Sequence, residues 1–416
     1  MEQTVAVIGG GASGMMAAIT AARNGARVTV FEPKERLGKK LLATGNGKCN
    51  FTNLYQAPDC YRGTHPEFAG TALQLFSVDR TLAFFEEIGI LAKLKNGYAY
   101  PNSEQAVSVA DALSMELRAC GVHLQREAVQ EIACRKNGGF LVVTEQEKTE
   151  FSRVILACGS RAGLPEQAEF HGYDLVYSLG HHTTRLLPAL VQLRSKEKWL
   201  KTVAGVRTEA EVTLLSGACP VKRETGELLF TEYGLSGIPV LQLSRFAGEL
   251  LAEQKEVVCL IDFFPTRTVN DLQKLLSDRR NNCRKRTAEE LLVGLLNHKL
   301  NYILLKECGL EPTAPAETVW GKVQAIQQMA ARMKGLSCRI TGTNSFSQAQ
   351  VTAGGIRTEE LHEDTMESRL HRGLYFAGEM IDIDGTCGGY NLQWAWSSGY
   401  VAGLHAATDD TTENNR

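Results

Sequence analysis

The chain opens on a short apolar run, Thr4-Val5-Ala6-Val7-Ile8, rich in β-branched residues and read as a buried strand. Small and apolar residues then recur from Met15 to Arg23, a helix pattern closed by Asn24-Gly25. A second strand pattern, Arg27 to Phe31, follows. From Glu32 to Asn53 the periodicity fades into a loop rich in Gly, Lys and Asn. Helices are expected from Ser77, as cap, to Gly89 and from Ser108 to Cys120. Strands are expected at Val122–Gln125, Val129–Arg135, Phe140–Thr144 and Val154–Ala157, the middle two joined by Asn137-Gly138-Gly139. After Pro188 the pattern changes. Strand pieces appear at Glu209–Leu215 and Val257–Asp262, and a charged helical stretch runs from Val269 to Lys334. Sheet-like signals return at Gln350, and the tail Thr408–Arg416 is polar and expected to fray. The expectation is an α/β fold: a Rossmann-like domain from residues 1–188 and 349–416, a β-rich insert from 189–265 and 335–348, and a helical subdomain from 266–334.

The turn after the first strand adds chemistry. Gly9-Gly10-Gly11-Ala12-Ser13-Gly14 supplies G-x-G-x-x-G between strand and helix. Gly9 permits the tight turn, Gly11 lets a pyrophosphate approach the backbone, and Gly14 lets helix and strand pack closely. Glu32 lies 18 residues beyond Gly14 at the end of the second strand, placed for a ribose 2′-hydroxyl. A carboxylate there repels a 2′-phosphate, which favours FAD or NAD over NADP.

The far end narrows the choice. Leu374–Ala377 reads as a strand ending in Gly378-Glu379, and Gly388-Gly389 opens a helix pattern at Tyr390. A carboxylate at a strand end suits ribityl hydroxyls, and a helix start suits the flavin edge where charge accumulates on reduction. Between the two ends, Arg36 and Lys40 are candidates for the pyrophosphate. Thr44–Asn50, with Gly45, offers backbone to a ring system. Ala157-Cys158-Gly159 resembles the Ala-Thr-Gly turn found over the cofactor in many FAD enzymes.

Composition changes the picture little. With 416 residues, 44% hydrophobic and 22% charged, the chain has material for two or three domains. The net charge of −2 gives no global attraction to nucleic acid or anionic membrane. Eleven Cys with no C-x-x-C pair read as reduced thiols, hence a cytoplasmic protein without a structural metal. Met1 runs almost directly into the first strand, so no leader is expected, and no apolar stretch is long enough to span a membrane.

Six segments together resemble the BaiN/YhiN-like family of bacterial flavoproteins over nearly the whole chain. They are V-I-G-G-G-A-S-G, K-K-L-L-A-T-G-N-G-K-C-N, L-F-T-E-Y-G-L-S-G, V-T-A-G-G-I, T-M-E-S-R-L, and G-L-Y-F-A-G-E-M-I-D-I-D-G-T-C-G-G-Y-N-L-Q-W-A-W-S-S-G. Members have been called aminoacetone oxidase-like or bile-acid dienone reductases. The resemblance implies FAD contacts at Gly9, Gly11, Ala12, Ser13, Gly14, Glu32, Lys40, Gly45, Asn50, Val129, Gly378, Glu379, Gly389, Asn391 and Leu392. Asn46 and Lys48 stand where the family pattern has Gly and Arg.

The reaction stays open among four readings. The leading one is a reductase, in which NADH or NADPH reduces FAD and hydride passes to a conjugated C=C of an apolar carbonyl compound. No second G-x-G-x-x-G is present, so a nicotinamide would dock transiently. The alternatives are an O₂-using oxidase of a small amine, an RNA-interacting flavoprotein resting on the basic run Arg279–Arg286, and a flavin binder without turnover. Asp384 and Tyr390 are the candidates for catalysis, though Asp384 also suits a turn in Asp-Ile-Asp-Gly. Cys387, Trp394 and Trp396 read as packing residues, and His181-His182 as structural. A small-molecule substrate is expected, in a pocket between the FAD domain and the insert.

Overall fold

The computed structural model describes residues 3–282 and 286–408. The chain forms two compact units, Met1–Leu186 with Val351–Arg416, and Leu187–Gln350. The polar tail beyond Thr408, expected to fray, and residues 283–285 of the basic run lie outside the described residues.

The first unit is organised by a five-stranded parallel sheet. Its strands are β1 (Thr4–Ile8), β2 (Arg27–Phe31), β3 (His123–Gln125), β4 (Arg153–Leu156) and β5 (Leu374–Phe376), in the spatial order β5-β4-β1-β2-β3. Every neighbouring pair runs parallel, with Val7 opposite both Val30 and Ile155. The central strands β1 and β4 are near-continuously apolar, as strands covered on both faces require, and Val5, Ala6 and Val7 are wholly buried. Helix α1 (Ala12–Arg23) follows β1, and helix α2 (Tyr390–Ala407) follows β5. The two helices approach backbone to backbone. A Cβ on Gly399 would lie 2.5 Å from the Ser13 carbonyl oxygen, and one on Gly403 would lie 2.3 Å from that of Ala17. Parallel strands end on one edge of the sheet. Gly9, Glu32, Ala157 and Ala377 therefore emerge side by side, where β1 has β2 on one side and β4 on the other.

Two three-stranded antiparallel sheets also belong to this unit. One pairs Thr52–Asn53 and Ala92–Lys95 with Tyr98–Pro101; the other is a meander of Glu131–Cys134, Phe140–Val143 and Lys148–Phe151. The last of these strands, Lys148–Phe151, shows only Phe151 to the core and was not legible as a strand in the sequence.

The second unit contains a closed six-stranded antiparallel barrel. Its order is Leu193–Ser195, Gly234–Gly237, Cys219–Thr231, Arg207–Ser216, Val257–Asp262 and Leu336–Thr343, which closes on the first. Alternate residues point inward, among them Val212, Leu214, Phe230, Cys259 and Ile261, all wholly buried. Four helices fill the stretch between the last two strands: Val269–Asn282, His298–Glu307, Ala316–Trp320 and Val323–Lys334. Leu272, Leu304, Trp320 and Met329 join the barrel residues in one hydrophobic cluster. No helix among the described residues is long and apolar enough to cross a membrane.

Candidate cofactor site

The glycine-rich turn is built as a cradle. Gly9 donates its N–H to Phe31 O (2.9 Å) and has φ +110°, and a Cβ there would strike Ala157 O at 2.5 Å. Gly14 packs so closely that a Cβ would lie 1.9 Å from Gly9 O. Gly11 differs from both. It caps α1 with extended geometry (φ −79°, ψ −171°), and a Cβ on it would meet no protein atom within 4 Å. The protein itself therefore does not require glycine at position 11. Helix α1 has no side-chain cap and no acidic residue in its first turn, so the N–H groups from Ala12 and Ser13 onward meet no negative side chain. Glu32 reaches back across the turn. Its carboxylate accepts from Gly10 N–H and Lys34 N–H, both at 3.0 Å.

The second half of the site comes from the far end of the chain. Gly378 N–H donates to Ser398 Oγ at 2.9 Å, and its carbonyl accepts from Trp394 Nε1 at 3.1 Å. A Cβ at Gly378 would lie 2.4 Å from Ser13 Oγ, so this turn rests directly on the start of α1. Glu379 accepts from Lys40 Nζ at 2.5 Å and from Thr352 N–H at 2.8 Å. Lys40 and Glu379, 339 positions apart, thus form one ion pair at the strand ends.

Helix α2 begins at Gly389, which is left-handed (φ +98°) and would place a Cβ 2.8 Å from Thr52 O. Like α1, α2 has neither a side-chain cap nor an acidic residue in its first turn. Asn50 lies against it. Its Oδ1 is buried, has no hydrogen-bond partner, and stands 3.1 Å from the position a Gly389 Cβ would take. Asn53 Nδ2 donates to Gly388 O at 3.0 Å. Wholly buried Gln393 fixes the helix. It accepts from Thr52 Oγ1 (2.6 Å) and donates to Phe76 O (3.0 Å).

The remaining candidates are distributed around this frame. Ala157 is buried and donates to Ile8 O (2.9 Å), and Gly159 (φ +75°) faces open space like Gly11. Gly45 lies against Asn50, a Cβ there falling 3.1 Å from Asn50 N. Val129 is buried just before the meander. Tyr390 is buried, edge-on to Tyr61 at 6.0 Å. Asn391 spends its side chain on the preceding loop: Oδ1 accepts from Gly385 N–H and Nδ2 donates to Gly385 O, both at 2.8 Å. Leu392 is half-buried against the core. Trp394 and Trp396 are buried, and Trp396 Nε1 donates to Phe51 O at 2.8 Å.

Some candidates sit differently from the sequence expectation. Arg36 is turned to Asp111 at 2.8 Å, an exposed ion pair on the neighbouring helix Ala106–Ala119. Asp384 does not form a turn; it and Gly385 extend as a two-residue strand against Tyr61–Arg62, with Asp384 buried. Its neighbour Asp382 accepts from Thr64 N–H and Oγ1 at 3.1 and 2.6 Å. Within the basic run, Arg279 donates to Leu291 O and Val293 O, both at 2.9 Å, and Arg280 to Trp320 O at 3.3 Å. These two guanidinium groups hold helix ends together. His181 and His182 share Glu360, at 2.8 Å each. Among the described residues no group of three or more His, Cys, Asp or Glu is placed to hold a metal.

Thiols near the site are kept protonated. Burial pushes Cys158 up to about 12, with the Glu32 charge adding to it, and raises Cys387 as well. Burial also pushes Cys49 up to about 12, against a hydrogen bond from Thr44. Burial and the neighbouring Cys60 raise the Tyr390 phenol. Sequence reasoning passed over Tyr98 and Tyr100, whose rings stand beside Gly388 and Gly45. The signal was present, since an Asn96-Gly97 turn precedes an alternating Tyr-Ala-Tyr.

The arrangement fits FAD on the chemistry of its donors and spaces. Two uncapped helix starts, an open space before Gly11, and an orphaned acceptor at Asn50 are all explained by one dinucleotide with a ring that carries an N–H edge. The HI0933-like protein Rossmann domain model matches residues 3–405. The chain belongs to the HI0933-like family. A 3-dehydro-bile acid delta(4,6)-reductase of Clostridium scindens is 42% identical to this HI0933-like chain over 405 residues, covering 97% of it and 98% of the relative. A ribosomal RNA dihydrouridine synthase of Haemophilus influenzae is 30% identical over 404 residues, covering 96% and 97%. Among solved structures, the open conformation of a flavocytochrome c3 fumarate reductase aligns over 98% of this chain and 78% of that one, with a TM-score of 0.49 and 15% identity. This HI0933-like protein is an FAD-dependent oxidoreductase.

Proposed function

We propose that the enzyme reduces a conjugated carbon–carbon double bond in an apolar carbonyl compound of the 3-oxo-4,6-diene bile-acid kind, with NADH or NADPH as a transient electron donor. The observation that carries this reading is the 42% identity, over almost the full length of both chains, to a reductase of that substrate. FAD held there would provide the hydride chemistry. The residues of this chain bind and orient it. Gly9, Gly11, Ala12, Ser13 and Gly14 would line the pyrophosphate, with the α1 start as the positive pole. Glu32 would take the ribose, Val129 the adenine through its backbone, and Ala157 and Gly159 would lie over the nucleotide. Lys40, Gly378 and Glu379 would meet the ribityl and phosphate region. The first turn of α2, from Gly388 and Gly389 through Tyr390, Asn391 and Leu392, would stabilise negative charge on the ring, while Asn50 would accept from its N–H edge and Gly45 would give it room. Arg36 would have to leave Asp111 to reach a phosphate.

The test is an anaerobic titration of the holoenzyme with NADH and NADPH, followed by addition of a 3-oxo-4,6-diene bile acid. Bleaching of the flavin, then its reoxidation with loss of one double bond from the steroid, is the expected result. A flavin that neither nicotinamide reduces, or a reduced flavin that the steroid leaves unchanged, would overturn the reading. Peroxide formation from a small amine would replace it with the oxidase. A second reading, reduction of a uracil base in RNA, is favoured by the dihydrouridine synthase relatives. The second unit's 22 Lys and Arg against 17 Asp and Glu favour it too. Dihydrouridine formed in ribosomal RNA by the reduced enzyme would select it.

A further inference from the structure

The strand Tyr98–Pro101 alternates strictly. Ala99 is wholly buried, so Tyr98 and Tyr100 occupy the opposite face of the three-stranded sheet. That face looks onto the α2 start. Tyr98 Cε1 is 2.9 Å from the position a Gly388 Cβ would take, and Tyr390 Cε2 is 3.3 Å from the same point. Tyr100 Cε1 is 3.8 Å from the corresponding point at Gly45. The two rings therefore stand between the Thr44–Asn50 loop and the Gly388-Gly389 turn. Both are half-buried, and Leu54 and Tyr55, just past the paired strand Thr52–Asn53, are 45% and 63% exposed. The phenols lie in one another's field. Burial raises the Tyr100 phenol, with Tyr98 adding to it, and burial together with Cys60 raises that of Tyr390. Among the described residues, neither the Tyr98 nor the Tyr100 hydroxyl makes a hydrogen bond to another side chain or to the backbone. Two phenols thus share one sheet face beside a helix start, with the exposed Leu54 and Tyr55 following the paired strand.

We propose that Tyr98 and Tyr100 receive the substrate's carbonyl oxygen by hydrogen bonding, with Leu54 and Tyr55 supporting its ring system. The inference deepens the reductase reading and rests on it. When a hydride adds to the far carbon of the conjugated system, the displaced π pair moves along the chain and leaves the carbonyl oxygen as an enolate. A proton from solvent then adds to carbon and restores the carbonyl. The two phenols keep their protons throughout; their hydrogen bonds strengthen as charge gathers on oxygen, which is where preorganised donors lower a barrier most.

The test uses oxidised holoenzyme without any reductant, so that binding is read without turnover. A 3-oxo-4,6-diene bile acid is titrated in while its own absorption band is followed. Hydrogen bonding to a conjugated carbonyl moves that band to longer wavelength. Wild type is expected to show the shift. Tyr98→Phe and Tyr100→Phe should each bind about fivefold more weakly, and the double variant should retain FAD but lose the shift. In turnover, loss of one donor should cost roughly a hundredfold. An unshifted band on binding to wild type would overturn the proposal. So would equal affinity and an equal shift in the double variant. Either result would leave the reductase reading standing if wild type still reduces the steroid. Wild type that neither binds nor reduces it would remove both.

Discussion

Replacing Gly11 with Ala separates the cofactor's demand on the fingerprint loop from the fold's. In the protein a Cβ at Gly11 meets nothing within 4 Å, and φ is −79°, so the methyl adds neither clash nor strain. Ala is a poorer helix cap than Gly, which costs up to about 1 kcal/mol. It also restricts the unfolded chain, which returns about 0.4–1 kcal/mol. The two nearly cancel, and the apoprotein melting temperature should move by no more than about 2 °C. FAD binding should respond differently. In the proposed cradle the methyl would occupy the space through which the pyrophosphate would reach the α1 start. Loss of one charge-assisted hydrogen bond, about 1.5–3 kcal/mol, weakens FAD by roughly 10- to 100-fold. Gly403→Ala is the mirror experiment. Its methyl would sit 2.3 Å from Ala17 O, forcing α2 away from α1. Overpacking of that kind costs about 1–3 kcal/mol, less about 1 kcal/mol regained in helix propensity. The net cost, up to about 2 kcal/mol, should lower the apoprotein melting temperature by up to roughly 8 °C. Differential scanning fluorimetry of apoprotein and fluorescence titration with FAD measure both. Gly11→Ala binding FAD as wild type does would refute the cradle; an apoprotein that melts early would refute the open space.

Further expectations follow from individual residues. Glu32→Gln leaves one acceptor oxygen for two backbone N–H groups, Gly10 and Lys34, and should weaken FAD about tenfold by equilibrium titration. Ser368 Oγ accepts from the N–H groups of Leu370 and His371, so it donates to His181 Nε2, and His181 Nδ1 donates to Glu360. Burial holds His181 below 6.5, against the pull of Glu360. The unfolded chain then binds a proton that the native state refuses. Stability should be full above about pH 6.5 and fall below it, by at most about 1.4 kcal/mol per pH unit. His181→Leu should flatten that limb of the melting profile between pH 5 and 7, and an unchanged slope would exclude His181 as its cause. Native thiol titration should modify the exposed Cys134 and Cys219 quickly. Cys49, Cys60, Cys259 and Cys338 should react only on unfolding.

The first unit was legible because its cues are local. A β-branched strand, a glycine turn, a helix and an acid at the next strand's end all lie within residues 4–32, and the spacing alone fixes their arrangement. The Gly378-Glu379 and Gly388-Gly389 turns were readable for the same reason. The ion pair of Lys40 with Glu379 was not, because 339 residues separate its partners and only the closed sheet brings them together. Arg36 could not be assigned from its place in the loop, since Asp111 competes for it from a helix 75 positions away. The barrel was half hidden. Cys219–Thr231 exposes most of its length and contains Pro220 and Gly226, so no alternation announces it; its pairing with Arg207–Ser216 creates the strand. Gly234–Gly237 is too short and glycine-rich for propensity to mark.

The crossing of α1 and α2 also dictates an order of events during synthesis. Gly399 and Gly403 rest on Ser13 and Ala17, yet the 164 residues of the second unit are translated between them. At about 5–20 residues per second, roughly 10–30 s pass between the two halves of the first unit leaving the ribosome. During that interval β1, β2 and α1 exist without β5 or α2, and the surface that α2 will cover stays open to water. Residues 187–350 have their own core and are free to fold first. A nascent chain arrested before Leu374 should therefore shield the second unit from protease while capturing no flavin, which makes cofactor loading a step that follows translation.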